Sequence, residues 1–277
     1  MIVMQFQGGL GNQMFEYACY RALVCRGKHV RLDNSFYIRK SCAYAIGKFP
    51  NIKMKRFRGF HNYLYFAVMG AFRKICRFIH MSYSENMELP YDEKVFEQNA
   101  GLLCGYFQNE YYFRDIMEII REELRFPDGE IKLQEKIQKI EDGFYISIHI
   151  RRKDYLELSD IYGGICDKRY YQEAVSIMQD KYPFAEFLVF SDDISWVKKN
   201  MDIPNAQIIP REYFDSYEDW YDMCLMSHCR HHITANSTFS WWGAWLNPDK
   251  GKTVICPKRW DNRYLERGLA CDGWIAL

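Results

Sequence analysis

Residues 144–155 read FYISIHIRRKDY, and this stretch decides the fold. Phe144–Ile150 is an apolar-rich run of strand length, the pattern of a parallel strand covered on both faces. It stops at Arg151-Arg152-Lys153-Asp154-Tyr155, a charged segment at the strand's C-terminal end. Downstream the periodicity alternates. Tyr170–Tyr182 predicts a helix ended by Pro183, Glu186–Phe190 a strand, and Ser191-Asp192-Asp193 the cap of a helix over Ile194–Asn200. Ala206–Ile209 reads as a strand, Asp219–Cys229 as a helix and His231–Ala235 as a strand. Ser237 and Thr238 lead into a helix over Phe239–Leu246, and Thr253–Cys256 is a last strand before Pro257. This β/α alternation predicts an α/β fold with a parallel sheet covered by helices on both faces.

Upstream, Ile2–Phe6 predicts a strand, Gly8-Gly9-Leu10-Gly11-Asn12-Gln13 a glycine-rich turn, Met14–Cys25 a helix and His29–Asp33 a strand, which together make one βαβ unit. Arg39–Glu88 reads as irregular, aromatic and basic, and Glu110–Leu124 as a helix before the turn cluster 126–129. Ile131–Ile140 reads as a short amphipathic helix. The boundary is expected within 128–143, giving an N-terminal domain 1–135 and a C-terminal domain 136–277.

The chain has 277 residues, of which 48% are hydrophobic and 26% charged, so wholesale disorder is excluded. No apolar run reaches the ~18–20 residues of a spanning helix. The start MIVMQFQGG lacks the features of a secretory signal. Ten cysteines at irregular spacing, with no CxxC, suit reduced thiols. The expected location is therefore cytoplasmic. Charge is unevenly spread. Residues 34–84 hold ten Lys/Arg and no Asp/Glu, a basic stretch suited to an anionic surface. Phe60–Ile79 mixes bulky apolar residues with Arg/Lys, and reads either as a core helix with a basic exposed face or as a peripheral attachment to anionic lipid at the inner membrane face.

Ligands of open α/β sheets bind beyond the C-terminal ends of the strands, and three segments fall there. Arg151 and Arg152 supply forked donors suited to phosphate. Asp192 and Asp193, after Ser191, are acceptors for a ribose or base edge, or simple caps. Asn236-Ser237-Thr238 opens a helix, where N–H groups and the dipole favour an anion. Together these make an inventory for a nucleoside diphosphate. There is no GxxxxGK[ST], and the GxGxxG pattern fails because its last position is Met14. GxSxG is missing too. Cys224, His228, Cys229, His231 and His232 match no standard zinc spacing, and no Asp-x-Asp pair follows a strand, so no metal is expected. Overall neutrality argues against nucleic acid as a partner. His149, Asp154 and Glu157 are the candidate bases near the arginine pair.

Four motifs, in order, resemble the α-1,2-fucosyltransferases of glycosyltransferase family 11. They are Gly8-Gly-Leu-Gly-Asn-Gln-Met-Phe15, His149-Ile-Arg-Arg-Lys-Asp-Tyr155, Phe190-Ser-Asp-Asp193 and Asn236-Ser-Thr-Phe-Ser-Trp-Trp-Gly-Ala-Trp245. Lys153 stands where the family usually has a small residue, and Glu16 where Gln is commoner. The resemblance implies a GT-B-like enzyme, two Rossmann-like domains with parallel sheets facing a central cleft. It implies inverting, metal-independent transfer of L-fucose from GDP-fucose to the 2-hydroxyl of a terminal galactose, free or lipid-linked, with no cofactor. The alternatives are another linkage or a non-catalytic nucleotide-sugar-binding module. It further implies that Arg151 holds the β-phosphate, with Arg152 and Asp154 shaping its loop. His149, Asp192 and Asp193 would lie near guanosine, and Ser237 and Thr238 at the pyrophosphate, beside Asn236. Gly8, Gly9, Gly11, Asn12 and Gln13 would face the cleft. Asp154 and Glu157 remain the candidate general bases.

Overall fold

The computed structural model describes residues 1–38, 43–54, 62–264 and 268–277. Parts of the basic stretch, 39–42 and 55–61, therefore lie outside the described residues. The chain forms two compact units, Met1–Pro127 and Asp128–Leu277. The division comes eight residues before the expected 135/136, because the helix over 131–142 belongs whole to the second unit.

The first unit runs β1 (Ile2–Gln5), α1 (Leu10–Cys25), β2 (Val30–Asp33), α2 (Asn62–Phe78), β3 (Ser82–Ser84), β4 (Gly101–Cys104) and α3 (Met117–Glu123), with short 3₁₀ turns between them. Its sheet is wholly parallel, in the order β2-β1-β4-β3. Three sequence expectations change here. The segment 39–88, expected to be irregular outside the helix read over Phe60–Ile79, carries that helix as α2 and also the strand β3. Strand β4, beside β1, went unforeseen because Gly-Leu-Leu-Cys is too short to show periodicity. The helix expected over 110–124 is two 3₁₀ turns followed by the seven-residue α3. It starts late because Phe113, at φ −139°, interrupts the helical backbone between the two turns.

Inside this unit, α1 is tied to α3 through a buried carboxylate. Glu123 accepts from Tyr17 Oη at 2.6 Å and from both Nε and Nη2 of Arg21 at 2.6 and 2.8 Å. At the C-terminal end of β2, fully buried Asp33 takes Nη1 of Arg73 at 2.6 Å, which anchors α2 to the sheet.

The second unit runs α4 (Ile131–Asp142), β5 (Tyr145–Ile150), α5 (Lys153–Glu157), α6 (Ser159–Tyr162), α7 (Lys168–Lys181), β6 (Glu186–Ser191), α8 (Ile194–Asn200), β7 (Ala206–Ile208), α9 (Tyr221–His228), β8 (His231–Ile233), α10 (Thr238–Leu246), β9 (Val254–Cys256) and β10 (Ile275–Ala276). All six strands are parallel, in the order β10-β9-β8-β5-β6-β7. The chain winds outward from β5 to one side through β6 and β7, then returns to β8 and winds to the other. That is the doubly wound arrangement of dinucleotide-binding sheets, and the winding reverses between β5 and β8.

Strand β5 shows why the sequence signal was strong. Its side chains alternate, and all six residues are buried. Ile146, Ile148 and Ile150 join Phe187, Val189, Ile233 and Ile255 in a core closed by Tyr170, Tyr171, Ala174, Val175 and Met178 of α7. On the other face Ser147 is polar and paired: its Oγ lies 2.8 Å from His232 Nδ1. His232 Nε2 lies 2.9 Å from Asn247 Nδ2. Helix α10 is nearly all apolar, and Trp241, Trp242 and Trp245 are buried in it. Gly243 is where α10 meets α9, since a Cβ there would lie 2.9 Å from Met226 Cβ.

Candidate active site

The site of the second unit is built from the segments that leave β5, β6 and β8 at their C-terminal ends. The chain leaves β5 at Arg151. A short helix, α5, then turns Asp154 back onto it. Arg151 Nε and Nη2 donate to the two Asp154 oxygens, each at 2.9 Å, and Nε lies 3.2 Å from Asp192 Oδ2. Nη1 has no protein partner among the described residues. Burial alone would weaken the charged guanidinium, but Asp154 and then Asp192 hold its pKa above the ordinary value.

Asp192 also accepts from the Arg152 N–H at 2.9 Å, so the strand-end residues of β6 secure the loop after β5. Asp193 caps α8 by accepting from Trp196 N at 3.1 Å, and its Oδ2 lies 3.4 Å from Arg152 Nε. The Arg152 guanidinium sits 3.7 Å from the Trp196 ring centroid. Ser191 Oγ accepts from Asp193 N at 3.0 Å. Asp193 caps α8 and Asp192 pairs with the arginine loop.

Beyond β8 comes Asn236. Its side chain donates to Trp260 O at 3.0 Å, and its carbonyl accepts from Tyr155 Oη at 2.6 Å. Tyr155 is stacked on Tyr162, with ring centroids 4.3 Å apart at 18°. A tyrosine of α5 therefore joins the arginine loop to the turn that opens α10. The rings of His149 and Phe239, in the first turn of α10, are 5.7 Å apart. Arg151 and Ser237 are thereby brought to the same sheet edge, at the point where the winding reverses.

The opening of α10, like those of α1, α4 and α9, has no side-chain cap, unlike those of α7 and α8. Asp167 and Asp193 cap those helices with their side chains, whereas Ser237, the N-cap of α10, makes no such bond. Its buried hydroxyl leaves the N–H groups of the first turn uncapped by that side chain. Such a terminus suits an anion.

His149 is buried, and its Nδ1 has no hydrogen-bond partner among the described residues. Burial first, and Arg151 second, lower its pKa to about 3. Tyr171 Oη donates to the His149 carbonyl at 3.0 Å. Glu157 is exposed at the end of α5, and among the described residues no hydrogen bond or ion pair ties it to Arg151; the structure does not bring it into the cluster.

In the first unit, the expected turn 8–13 is shorter. Gly8 has φ +80°, and Gly9 is the N-cap of α1, which starts at Leu10 rather than Met14. Gly11, Asn12 and Gln13 are helical. Gln13 is fully buried. Its amide donates to Gly8 O at 3.1 Å and Ala43 O at 2.9 Å and accepts from Ala45 N and Ile46 N, so it is committed to holding residues 43–46. Asn12 Oδ1 accepts from Gln108 Nε2 at 2.9 Å, which ties the start of α1 to the segment after β4. Strands β1 and β4 are neighbours, and this sheet reverses its winding there.

Among the described residues no group of three or more His, Cys, Asp or Glu is placed to hold a metal ion. His231 stacks on Tyr182 at 3.8 Å and accepts from Thr253 N at 3.0 Å, each a structural engagement. Sequence reasoning assigned no role to Tyr155, Tyr162 or Trp196. Tyr155 lies inside a motif already singled out; the other two carry no pattern of their own.

A family model described as Glycosyl transferase family 11 matches residues 1–277. The chain belongs to this family. Among curated members it is 33% identical to the Escherichia coli alpha-1,2-colitosyltransferase, over 95% of this chain and 93% of that one. It is 27% identical to the O-antigen biosynthesis glycosyltransferase WbnK of Escherichia coli, over 98% of each. The galactoside alpha-(1,2)-fucosyltransferase 1 of Rattus norvegicus is 26% identical over 56% of this chain and 43% of its own. Arabidopsis thaliana FUT1, solved in complex with GDP, matches with a TM-score of 0.54 at 12% identity, over 95% of this chain and 71% of that one. That likeness is one of fold, and the family 11 chain is an α/β glycosyltransferase of the GT-B class.

Proposed function

We propose that this glycosyltransferase moves L-fucose from GDP-fucose to the 2-hydroxyl of a terminal galactose, inverting the anomeric centre without a metal. The observation that carries the reading is the convergence of the Arg151 loop and the N-terminus of α10, which the Ser237 side chain does not cap, on the β5/β8 switch point, bridged by Tyr155 Oη on Asn236 O. As the glycosidic bond breaks, negative charge develops on the departing diphosphate. A fixed guanidinium and helix N–H groups are placed to neutralise it. Arg151 takes the β-phosphate, while Asp154, with both oxygens on Arg151, positions the guanidinium. Arg152 holds the loop through Asp193 and Trp196. Ser237 and Thr238 line the diphosphate seat. His149 stays neutral beside it and offers an imidazole to the nucleoside without adding charge. As the acceptor oxygen bonds to the oxocarbenium-like carbon, its hydroxyl proton passes to solvent, and no side chain is assigned as general base.

The relatives support this reading at the level of α-1,2 transfer of a deoxy sugar, and the O-antigen relative supports a cell-surface glycan as acceptor. A second donor is favoured by one observation: the colitosyltransferase matches over far more of the chain than the galactoside fucosyltransferase does. The test is a GDP-release assay with GDP-fucose and the corresponding colitose donor against lactose and other galactosides, with and without EDTA. The reading expects EDTA-resistant release from GDP-fucose and an α-1,2-linked product by NMR. Release from the colitose donor alone selects the second reading. Donor binding without release on any galactoside would leave a binding module and remove both.

A further inference from the structure

We propose that α2 is an interfacial helix that seats the first unit on an anionic lipid surface. This rests on geometry of the first unit and does not depend on the identity of the donor. One stripe of α2 faces inward: Tyr65 and Met69 pack with Val3 of β1, Phe72 joins them, and Cys76 is buried. A second apolar stripe, offset around the same helix, faces out. Leu64, Val68, Ile75 and Phe78 recur at near-helical spacing, and Ile79 and Met81 continue the patch past the helix end. Phe78 is 85% exposed and Ile75 57%. An exposed row of large apolar side chains on one helix marks an interaction surface.

Charge selects the partner. The helix has no acidic residue, and Lys74 and Arg77 are exposed on it. In sequence the helix sits in the segment 34–84, which has ten Lys/Arg and no Asp/Glu, five of those cations lying outside the described residues. Arg73 is neutralised by Asp33, so the exposed cations are the ones available to a partner. A second copy of the chain would bring two such segments face to face, and like charge opposes that. An anionic bilayer takes both features at once: apolar side chains enter the headgroup boundary and the cations meet lipid phosphates. At 17 residues α2 lies on the surface, and no helix among the described residues is long and apolar enough to cross a membrane.

The experiment is co-sedimentation of the full chain with phosphatidylcholine vesicles, with and without phosphatidylglycerol. The wild type should pellet with the anionic vesicles and much less with the neutral ones, and high salt should weaken the binding. Ile75→Glu/Phe78→Glu should raise the lipid needed for half-binding by about tenfold or more. Both side chains are exposed, so the variant should keep its melting temperature and its turnover of a soluble acceptor. Lys74→Glu/Arg77→Glu should lose the anionic preference. A wild type that stays in the supernatant overturns the proposal, as does a double variant that pellets like wild type. Light scattering that shows a dimer in wild type and a monomer in Ile75→Glu/Phe78→Glu, with no vesicle binding, would assign the stripe to self-association instead.

Discussion

At the residue scale, the site rests on one cation whose partners are known. Arg151 is held by Asp154 through two parallel bonds, a geometry a lysine does not reproduce. Arg151→Ala should therefore lower kcat by about 10²–10³-fold, the usual loss when one charge-stabilising donor is removed. Arg151→Lys should recover only part of it. Near-wild-type turnover by the alanine variant would take Arg151 out of the chemistry, and circular dichroism separates that outcome from unfolding. Glu157→Gln, at an exposed position with no ion pair to Arg151 among the described residues, should leave kcat/KM within a few-fold. Glu16 is the other residue with a measurable signature. It is fully buried, with both oxygens accepting from Gln7 N at 3.1 and 3.0 Å. Burial, and secondarily Glu85, push its carboxyl well above the usual range. A carboxyl raised in the fold favours the folded state below its unfolded pKa and loses that advantage as pH rises. Glu16→Gln is neutral at every pH. Its melting temperature should exceed that of wild type at alkaline pH, and the gap should close as pH falls toward the ordinary Glu value. A gap that does not vary with pH would mean that Glu16 is already ionised in the fold.

At the scale of elements, function depends on how α5 is locked to the turn before α10. Tyr155 does this with one hydroxyl and one stacked ring. Tyr155→Phe keeps the stack on Tyr162 but strands the buried Asn236 carbonyl, at a cost of about 1–3 kcal/mol. Denaturant unfolding should show that loss. A shifted loop should lower kcat more than it raises the KM for donor, and an unchanged kcat would make the bond merely structural. The elements legible from sequence were those with a pattern long enough to read. Strand β5 alternates Ile with Ser and His between apolar and charged flanks, and α7 carries a 14-residue amphipathic repeat behind the Asp167 cap. The elements that escaped are short. Strands β4 and β10 have four and two residues, and exist because β1 and β9 lie beside them. Helix α2 was legible as a helix over Phe60–Ile79, and what the sequence left open was which of its two apolar stripes is buried. The glycines of the first turn were legible as a motif but misleading as geometry: only Gly8 takes a positive φ, and Gly11 and Gln13 already belong to α1. Of the candidate site, the three strand-end segments were legible because parallel topology puts every strand's C-terminal end on one edge. Which carboxylates are spent on arginines is a matter of side-chain packing, and spacing does not encode it.

At the scale of the whole molecule, the two units differ in charge and in the buried groups that respond to pH. Residues 1–127 hold 18 Lys/Arg and 12 Asp/Glu, and residues 128–277 hold 19 and 24. Inside, the contrast is of another kind. The first unit buries Glu16 with its carboxyl pKa raised by burial, whereas the second buries three histidines whose pKa values burial lowers. Burial lowers His149 to about 3 and His231 to about 4, and sets His232 well below its ordinary value. For a group depressed in the fold, the stability is present above its unfolded pKa and is lost as pH falls toward the folded value. Unfolding of the second unit should therefore take up protons between about pH 6.5 and pH 4. Asp222, raised by burial to about 6, works the other way over part of that range, but one carboxyl offsets one histidine and not three. Acid should thus melt the second unit while Glu16, in the first, gains from the same change. Urea midpoints followed from pH 7.5 to 5 should fall for the second unit, read from its buried tryptophans Trp241 and Trp242. His149→Phe removes one of the titrating groups without breaking a bond to Nδ1, which has no partner among the described residues. Its stability should fall less steeply with acid, by up to about 1.4 kcal/mol per pH unit for the one proton removed. Parallel curves for the variant and wild type would mean that His149 is protonated equally in the folded and unfolded chain, and a neutral imidazole beside Arg151 would no longer describe the donor seat.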